Sequence, residues 1–239
     1  EVRAFSEAIS RLLISMGARV VVVACNTASA AALHHLRQAL PATPFIGMEP
    51  AVKPAAEQTH NGVVGVLATP ATFQGELYAS VVERFAGGVR ILQDTCPGLV
   101  EWIEAGNLEG PQTRRILESA LHPMLEEGID RVVLGCTHYP FVIPLIERII
   151  SAYPGRPAVQ VIDPAPAVAR QAGRILEANG WLDSNPVPAG MTFLTSGDPR
   201  TFAASLPGFL GEGGPVQGVS WSVDGSICLG NSATGSFPG

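Results

Sequence analysis

An α/β fold of two pseudo-symmetric lobes, each a parallel sheet with helices on both faces, is what this sequence predicts. Three observations carry it. Stretches with apolar residues three or four apart alternate with short, continuous apolar runs, the pattern of helices alternating with strands. The runs lack the in–out alternation of a half-exposed strand, so both their faces are buried, as in parallel sheets. The chain also repeats itself: Cys136 follows Cys25 by 111 residues, Gly128 follows Gly17 by the same interval, and "MGARVVVVAC" lies over "EGIDRVVLGC" without a gap.

Taken in order, Val2, Phe5, Ile9, Leu12, Leu13 and Met16 recur at helical spacing and Gly17 closes that helix. Val20 to Ala24 is a buried strand, Ala28 to Leu40 a helix, and Phe45 to Met48 a short strand, with Glu49-Pro50 opening another helix. Gly62 to Ala68 is a strand followed by a helix from Phe73 to Phe85. Then come a strand over Val89 to Gln93, a helix over Arg114 to Glu127, the second cysteine strand over Val132 to Gly135 and a helix from Phe141 to Tyr153. A strand at Val159 to Ile162, a helix at Ala167 to Asn179, a late strand at Met191 to Thr195 and a helix at Arg200 to Leu210 complete the pattern. The tail from Gly211, rich in Gly, Ser and Pro, receives no assignment.

Composition narrows the function. Apolar residues make up 46% of the 239, enough for a sizeable core. Charged residues are only 15%, the net charge is -6, and no basic run occurs, which argues against nucleic acid as a partner. The apolar stretches are too short to span a membrane, and no signal peptide is visible. Four sparse cysteines, two of them at apolar strand ends, fit a reducing cytoplasm better than a disulfide scaffold.

Those two strand ends carry the chemistry. Open α/β sheets bind ligands at the carboxyl ends of their strands. A cysteine between a strand and a helix N-terminus faces orphan N–H groups and the positive end of the helix dipole. That placement is expected to lower a thiol pKa from its free value of about 8.5. Asn26 and Thr27 follow Cys25, and Thr137 and His138 follow Cys136, as cap and support residues. With the lobes facing each other, two thiols reach one small substrate from opposite sides. One removes a proton at a stereocentre and the other delivers one to the opposite face.

Other uses of these residues compete. A buried cysteine is often a small hydrophobe, and Cys96 and Cys228, which have no repeat partner, are read that way. Cys25, Cys136 and His138 could hold zinc, but no fourth ligand is evident. A Cys–His nucleophilic pair leaves the second cysteine unexplained. His34, His35, His60 and His122 fall on helices or loops and are read as surface residues. Pyridoxal chemistry needs a lysine for its Schiff base. Lys53, flanked by Val52 and Pro54, is the only one in the chain, and no phosphate-cradling glycine loop accompanies it. No cofactor and no metal are expected.

The motifs are also recognisable. "ACNTAS" at 24–29 and "GCTHYP" at 135–140 resemble the two active-site motifs of the glutamate racemase branch of the aspartate/glutamate racemase superfamily. "GMEPA" at 47–51, "CPGLVEWIE" at 96–104, "IDPAPAVA" at 162–169 and "TSGDPRTF" at 195–202 are similar to that family in order and spacing. The resemblance implies cofactor-independent interconversion of L- and D-glutamate, in the cytoplasm, supplying D-glutamate for peptidoglycan. It implies Cys25 and Cys136 as the acid/base pair, with Asn26, Thr27, Thr137 and His138 binding substrate or supporting the thiols. Glu49 and Thr69 are implied as contributors. It further implies a site between lobe one, residues 1–55 and 166–239, and lobe two, residues 56–165, and a homodimer.

Family members open with a strand and an Asp-Ser-Gly-x-Gly-Gly turn, followed later by a Tyr-Gly pair, and this sequence contains neither. The expectation is therefore a fragment, or a truncated relative with weakened or lost turnover. The alternatives are a non-catalytic glutamate-binding relative and a racemase of another amino acid.

Overall fold

The computed structural model describes residues 1–155, 158–182 and 190–230. The elements run α1 (Val2–Ser15), β1 (Val21–Val22), α2 (Asn26–Ala39), β2 (Phe45–Ile46), α3 (Val52–Gln58), β3 (Val63–Ala68), α4 (Pro70–Phe73), α5 (Glu76–Phe85) and β4 (Arg90–Asp94). They continue with α6 (Leu99–Glu104), α7 (Pro111–Glu126), β5 (Arg131–Gly135), a 3-10 turn (Tyr139–Val142), α8 (Ile143–Ala152), β6 (Gln160–Ile162) and α9 (Ala165–Ala178). The last are β7 (Phe193–Thr195), α10 (Pro199–Leu210), β8 (Val216–Trp221) and β9 (Ile227–Leu229). The alternation of strand and helix is as the sequence predicts.

The chain gathers into two compact units, Glu1–Arg19 with Leu182–Gly239, and Val20–Trp181. The lobes expected at 1–55 with 166–239 and at 56–165 are a different division of the chain, one cysteine to each, whereas both cysteine strands lie in the second compact unit. Residues 183–189 and 231–239 of the expected first lobe lie outside the described residues. The first unit holds α1, α10 and a three-stranded sheet ordered β7-β8-β9, parallel at its first pairing and antiparallel at its second. Phe5 of α1 packs on Trp221 with ring centroids 4.8 Å apart. The unassigned tail thus supplies two strands.

The second unit contains two parallel sheets, β1-β2 and the four-stranded β4-β3-β5-β6. Period-2 geometry gives the larger sheet two buried faces. Val64, Val66 and Ala68 join Val52 and Ala55 of α3 and Tyr78 and Val81 of α5 on one face. Gly65 points the other way, toward Met124 of α7. The register pairs Ala68 with Gly135. A Cβ on Gly135 would lie 2.7 Å from the Ala68 Cβ and 3.1 Å from the Leu67 carbonyl oxygen, so only glycine fits just before Cys136.

Several expected bounds move for local reasons. The helix expected from Phe73 to Phe85 is broken at Gly75, whose extended backbone ends α4 and caps α5. The helix expected from Phe141 starts as a 3-10 turn, because Pro140 and Pro144 lack the N–H groups an α-ladder needs, and α8 begins at Ile143 with Pro144 in its first turn. The short α6 has no counterpart among the expected elements. His34 and His60 are exposed as expected, whereas His35 and His122 are half-buried, His122 stacking on Tyr153 at 5.4 Å.

A buried polar joint closes the amino end of the large sheet. Asp130, 8% exposed, accepts from the Thr59 hydroxyl and the His60 N–H, both at 2.6 Å, with Arg131 at 3.6 Å. Burial works against its charge, but these two donors and the guanidinium outweigh it and hold the carboxyl below its usual value. A depressed folded pKa stabilises above the unfolded carboxylate range, and that stabilisation is lost as pH falls through the folded value. Asp130→Asn is therefore expected to cost about 1–3 kcal/mol at neutral pH. The deficit should shrink under acid, as read by urea unfolding at several pH values; a constant deficit would place the effect elsewhere.

Candidate active site

Strand register sets the site. Thr69 follows Ala68 and Cys136 follows Gly135, so a threonine and a cysteine stand side by side at the carboxyl edge of paired β3 and β5. On the other sheet, the strand expected over Val20 to Ala24 is only Val21–Val22, and Cys25 follows it three residues on as the N-cap of α2, its sulfur accepting from the Ala28 N–H at 3.4 Å. Asn26 and Thr27, expected as caps, instead occupy the first turn of that helix.

One cavity of about 140 Å³ is lined by Cys25, Asn26, Thr27, Thr69, Thr72, Val100, Gly135, Cys136, Thr137 and His138. It gathers both expected acid/base residues, all four expected binding residues and Thr69. Glu49 is exposed and lines a different groove, with Lys53 and Asp163. The small volume suits a small metabolite. Among the described residues no three His, Cys, Asp or Glu side chains cluster as a metal site.

The polar groups fall into three sets. Cys136, 8% exposed, has its sulfur 3.6 Å from His138 Nδ1, and His138 Nε2 meets Glu104 at 3.0 Å. Thr27, Thr69 and Thr72 join their hydroxyls pairwise at 3.1, 3.2 and 3.0 Å. Asn26 is 3% exposed, and neither its amide oxygen nor its amide nitrogen has a hydrogen-bond partner among the described residues.

Electrostatics correct one expectation. Burial pushes the Cys136 thiol up, partly offset by the N–H groups of His138 and Tyr139, and any charge on Cys25 pushes it further. The anticipated lowering fails here because Cys136 precedes a 3-10 turn rather than an α-helix N-terminus, so desolvation wins. Burial also pushes the Cys96 thiol well up, with the Asp94 carboxylate adding to it. Cys96 is buried and outside the cavity lining, and Cys228 is exposed.

Sequence reasoning did not single out Thr72, Val100 or Glu104. Thr72 carried a usable signal, since it lies one helical turn beyond Thr69. Glu104 ends the "CPGLVEWIE" motif, but its approach to His138 depends on the unanticipated α6.

Residues 2–172 match the family described as Asp/Glu/Hydantoin racemase. A glutamate racemase from Roseiflexus sp. (strain RS-1) is 48% identical over 204 residues, covering 85% of this chain and 73% of the relative. A solved glutamate racemase isoform from Bacillus anthracis is similar with a TM-score of 0.75 at 29% identity, over 90% of this chain and 79% of that one. The Francisella tularensis glutamate racemase, solved in complex with D-glutamate, gives a TM-score of 0.76 at 25% identity, over 93% of this chain and 81% of that one.

Proposed function

The chain belongs to the Asp/Glu/hydantoin racemase family, and from that premise we propose that it interconverts L- and D-glutamate by a two-thiol, cofactor-independent mechanism. The observation that carries this reading is one small cavity lined by Cys25, which follows β1 at the N-cap of α2, and Cys136, which follows β5 of the other sheet. The names of the relatives supply the substrate. The expected lobes, 1–55 with 166–239 and 56–165, enter the proposal as the halves contributing one thiol each. D-Glutamate made in the cytoplasm for peptidoglycan is its physiological side.

In the proposed reaction one cysteine, as thiolate, takes the Cα proton and leaves a carbanion conjugated with the carboxylate. The other cysteine, as thiol, gives its proton to the opposite face. The first is then a thiol and the second a thiolate, so the enzyme is set for the reverse direction. His138 faces the Cys136 sulfur and is oriented by Glu104. The only lysine, Lys53, pairs with Glu57 at 3.9 Å and lies over the Phe85 ring rather than in the cavity, which supports chemistry without pyridoxal phosphate.

The direct test is incubation with L-glutamate in deuterated water. The proposal expects D-glutamate carrying deuterium at Cα, at a rate unaffected by chelators and without pyridoxal absorbance. Glutamate binding without inversion or exchange would favour the non-catalytic relative. Glu104 gives a finer check. Glu104→Ala is expected to lower kcat about tenfold, less than the about 10²- to 10⁴-fold of a group that transfers the proton itself because Glu104 acts through His138, with KM little changed, while Glu104→Gln keeps a hydrogen-bond acceptor and recovers most of the rate. Equal rates in all three proteins would remove Glu104 from the mechanism.

A further inference from the structure

The hydroxyls of Thr27, Thr69 and Thr72 form a nearly equilateral triangle with sides of 3.1, 3.2 and 3.0 Å. Three hydroxyls carry three protons, and a closed ring uses all of them, each group donating to one neighbour and accepting from the other. The corner of such a triangle is far sharper than the tetrahedral spread of a hydroxyl's proton and lone pairs. The three bonds are therefore bent and individually weak. An ionised acceptor entering the cavity offers a stronger, straighter bond to any one of these protons.

The three members are not equivalent. Thr27 and Thr69 are half-buried, whereas Thr72 is 2% exposed. All three line the cavity, and Thr27 and Thr69 offer a substrate more surface than Thr72 does. They also come from different elements, Thr27 from α2 behind Cys25, Thr69 from the N-cap of α4 after β3, beside Cys136, and Thr72 from α4 itself. The ring thus ties the two cysteine-bearing sheets together at the cavity.

We propose that Thr72 is a positioning residue, which keeps the Thr27 and Thr69 hydroxyls in a closed hydrogen-bonded ring and leaves one of them free to donate a hydrogen bond to a substrate carboxylate. When a carboxylate accepts from one accessible threonine, one edge of the ring opens. The remaining hydroxyls form a chain that donates toward the substrate, each bond polarising the next. Without Thr72 the Thr27 and Thr69 hydroxyls keep only each other, and whichever faces the substrate loses a supporting donor. The inference rests on the carboxylate substrate of the proposed function and adds how that carboxylate is recognised.

The experiment compares Thr72→Val, which keeps the shape and removes the hydroxyl, with Thr72→Ser, which keeps the hydroxyl. Glutamate affinity by calorimetry and kcat and KM are read for both. Thr72→Val is expected to weaken binding and raise KM about tenfold with kcat changed less than threefold, and Thr72→Ser to stay within about twofold of the parent. Unchanged affinity in Thr72→Val, or equal losses in both variants, would overturn the proposal, the second result assigning the effect to the methyl group. If Thr72→Val does not fold, Thr72→Ala takes its place, and failure of both would show a structural hydroxyl and equally overturn the idea. A parent that binds glutamate without inverting it would sink the racemase function, yet the affinity comparison would still decide the role of Thr72.

Discussion

Replacing Cys25 by alanine is expected to stop racemisation in both directions while leaving Cα–H exchange on one enantiomer, and replacing Cys136 is expected to leave exchange on the other. Inversion needs a base on one face and an acid on the opposite face, and both thiols line the same cavity. Removing either leaves a thiol that can take and return a proton on its own face only. General acid–base groups contribute about 10²- to 10⁴-fold, and inversion should fall toward the upper end of that range in each variant. Polarimetry reads inversion, and proton NMR in deuterated water reads exchange of each enantiomer. A single variant that still racemises at a tenth of the parental rate would sink the two-thiol mechanism, as would exchange of both enantiomers at equal rates. The wild-type pH dependence follows from the same pairing. Each direction needs one cysteine as thiolate and the other as thiol, so both directions should rise and fall together along one bell-shaped profile. Burial, which raises the Cys136 thiol, moves the falling limb of that bell to higher pH.

The interior strands were legible in the sequence because burial on both faces leaves an unbroken apolar signature. β3 and β5 are such strands, and each lies within about one residue of its expected span. What escaped was short or conditional. α6 has only six residues, too few for a helical period to stand out, and Cys96 and Gly98 before it both hold positive φ. The break between α4 and α5 turns on one extended glycine inside an otherwise periodic run. β8 mixes Gln, Gly and Ser with apolar residues and β9 is only three residues long, so neither shows a clear period, and β8 is held by pairing with β7 and β9. The site followed the same rule. Asn26, Thr27, Thr137 and His138 stand next to the repeated cysteines and are legible there as cap residues, while their part in a substrate site is what the family resemblance implies. Glu104 and Val100 reach the cavity region on an element of their own, and only the tertiary structure brings them there.

Asn26 is where fold and function pull in opposite directions, and this gives the second large effect. A buried amide with neither end paired costs about 1–3 kcal/mol, and such a cost persists where a ligand restores the bonds. Leucine has nearly the same shape and nothing to satisfy. Asn26→Leu is therefore expected to stabilise the unliganded protein by about 1 kcal/mol, visible as a rise of about 2–4 °C in Tm for a chain of this size. In the proposed function, the same change deletes a donor and an acceptor on a residue lining the cavity. A pair of hydrogen bonds to charged groups is worth about 1.5–3 kcal/mol each, so glutamate affinity should fall about 10²-fold or more. Stability and affinity would then move in opposite directions in one variant, the trade expected of a binding group rather than a packing group. Calorimetric unfolding and glutamate titration on the same preparation decide it. A variant that is less stable and still binds glutamate normally would show that the Asn26 amide serves the fold, and that the substrate is held by other groups in the cavity.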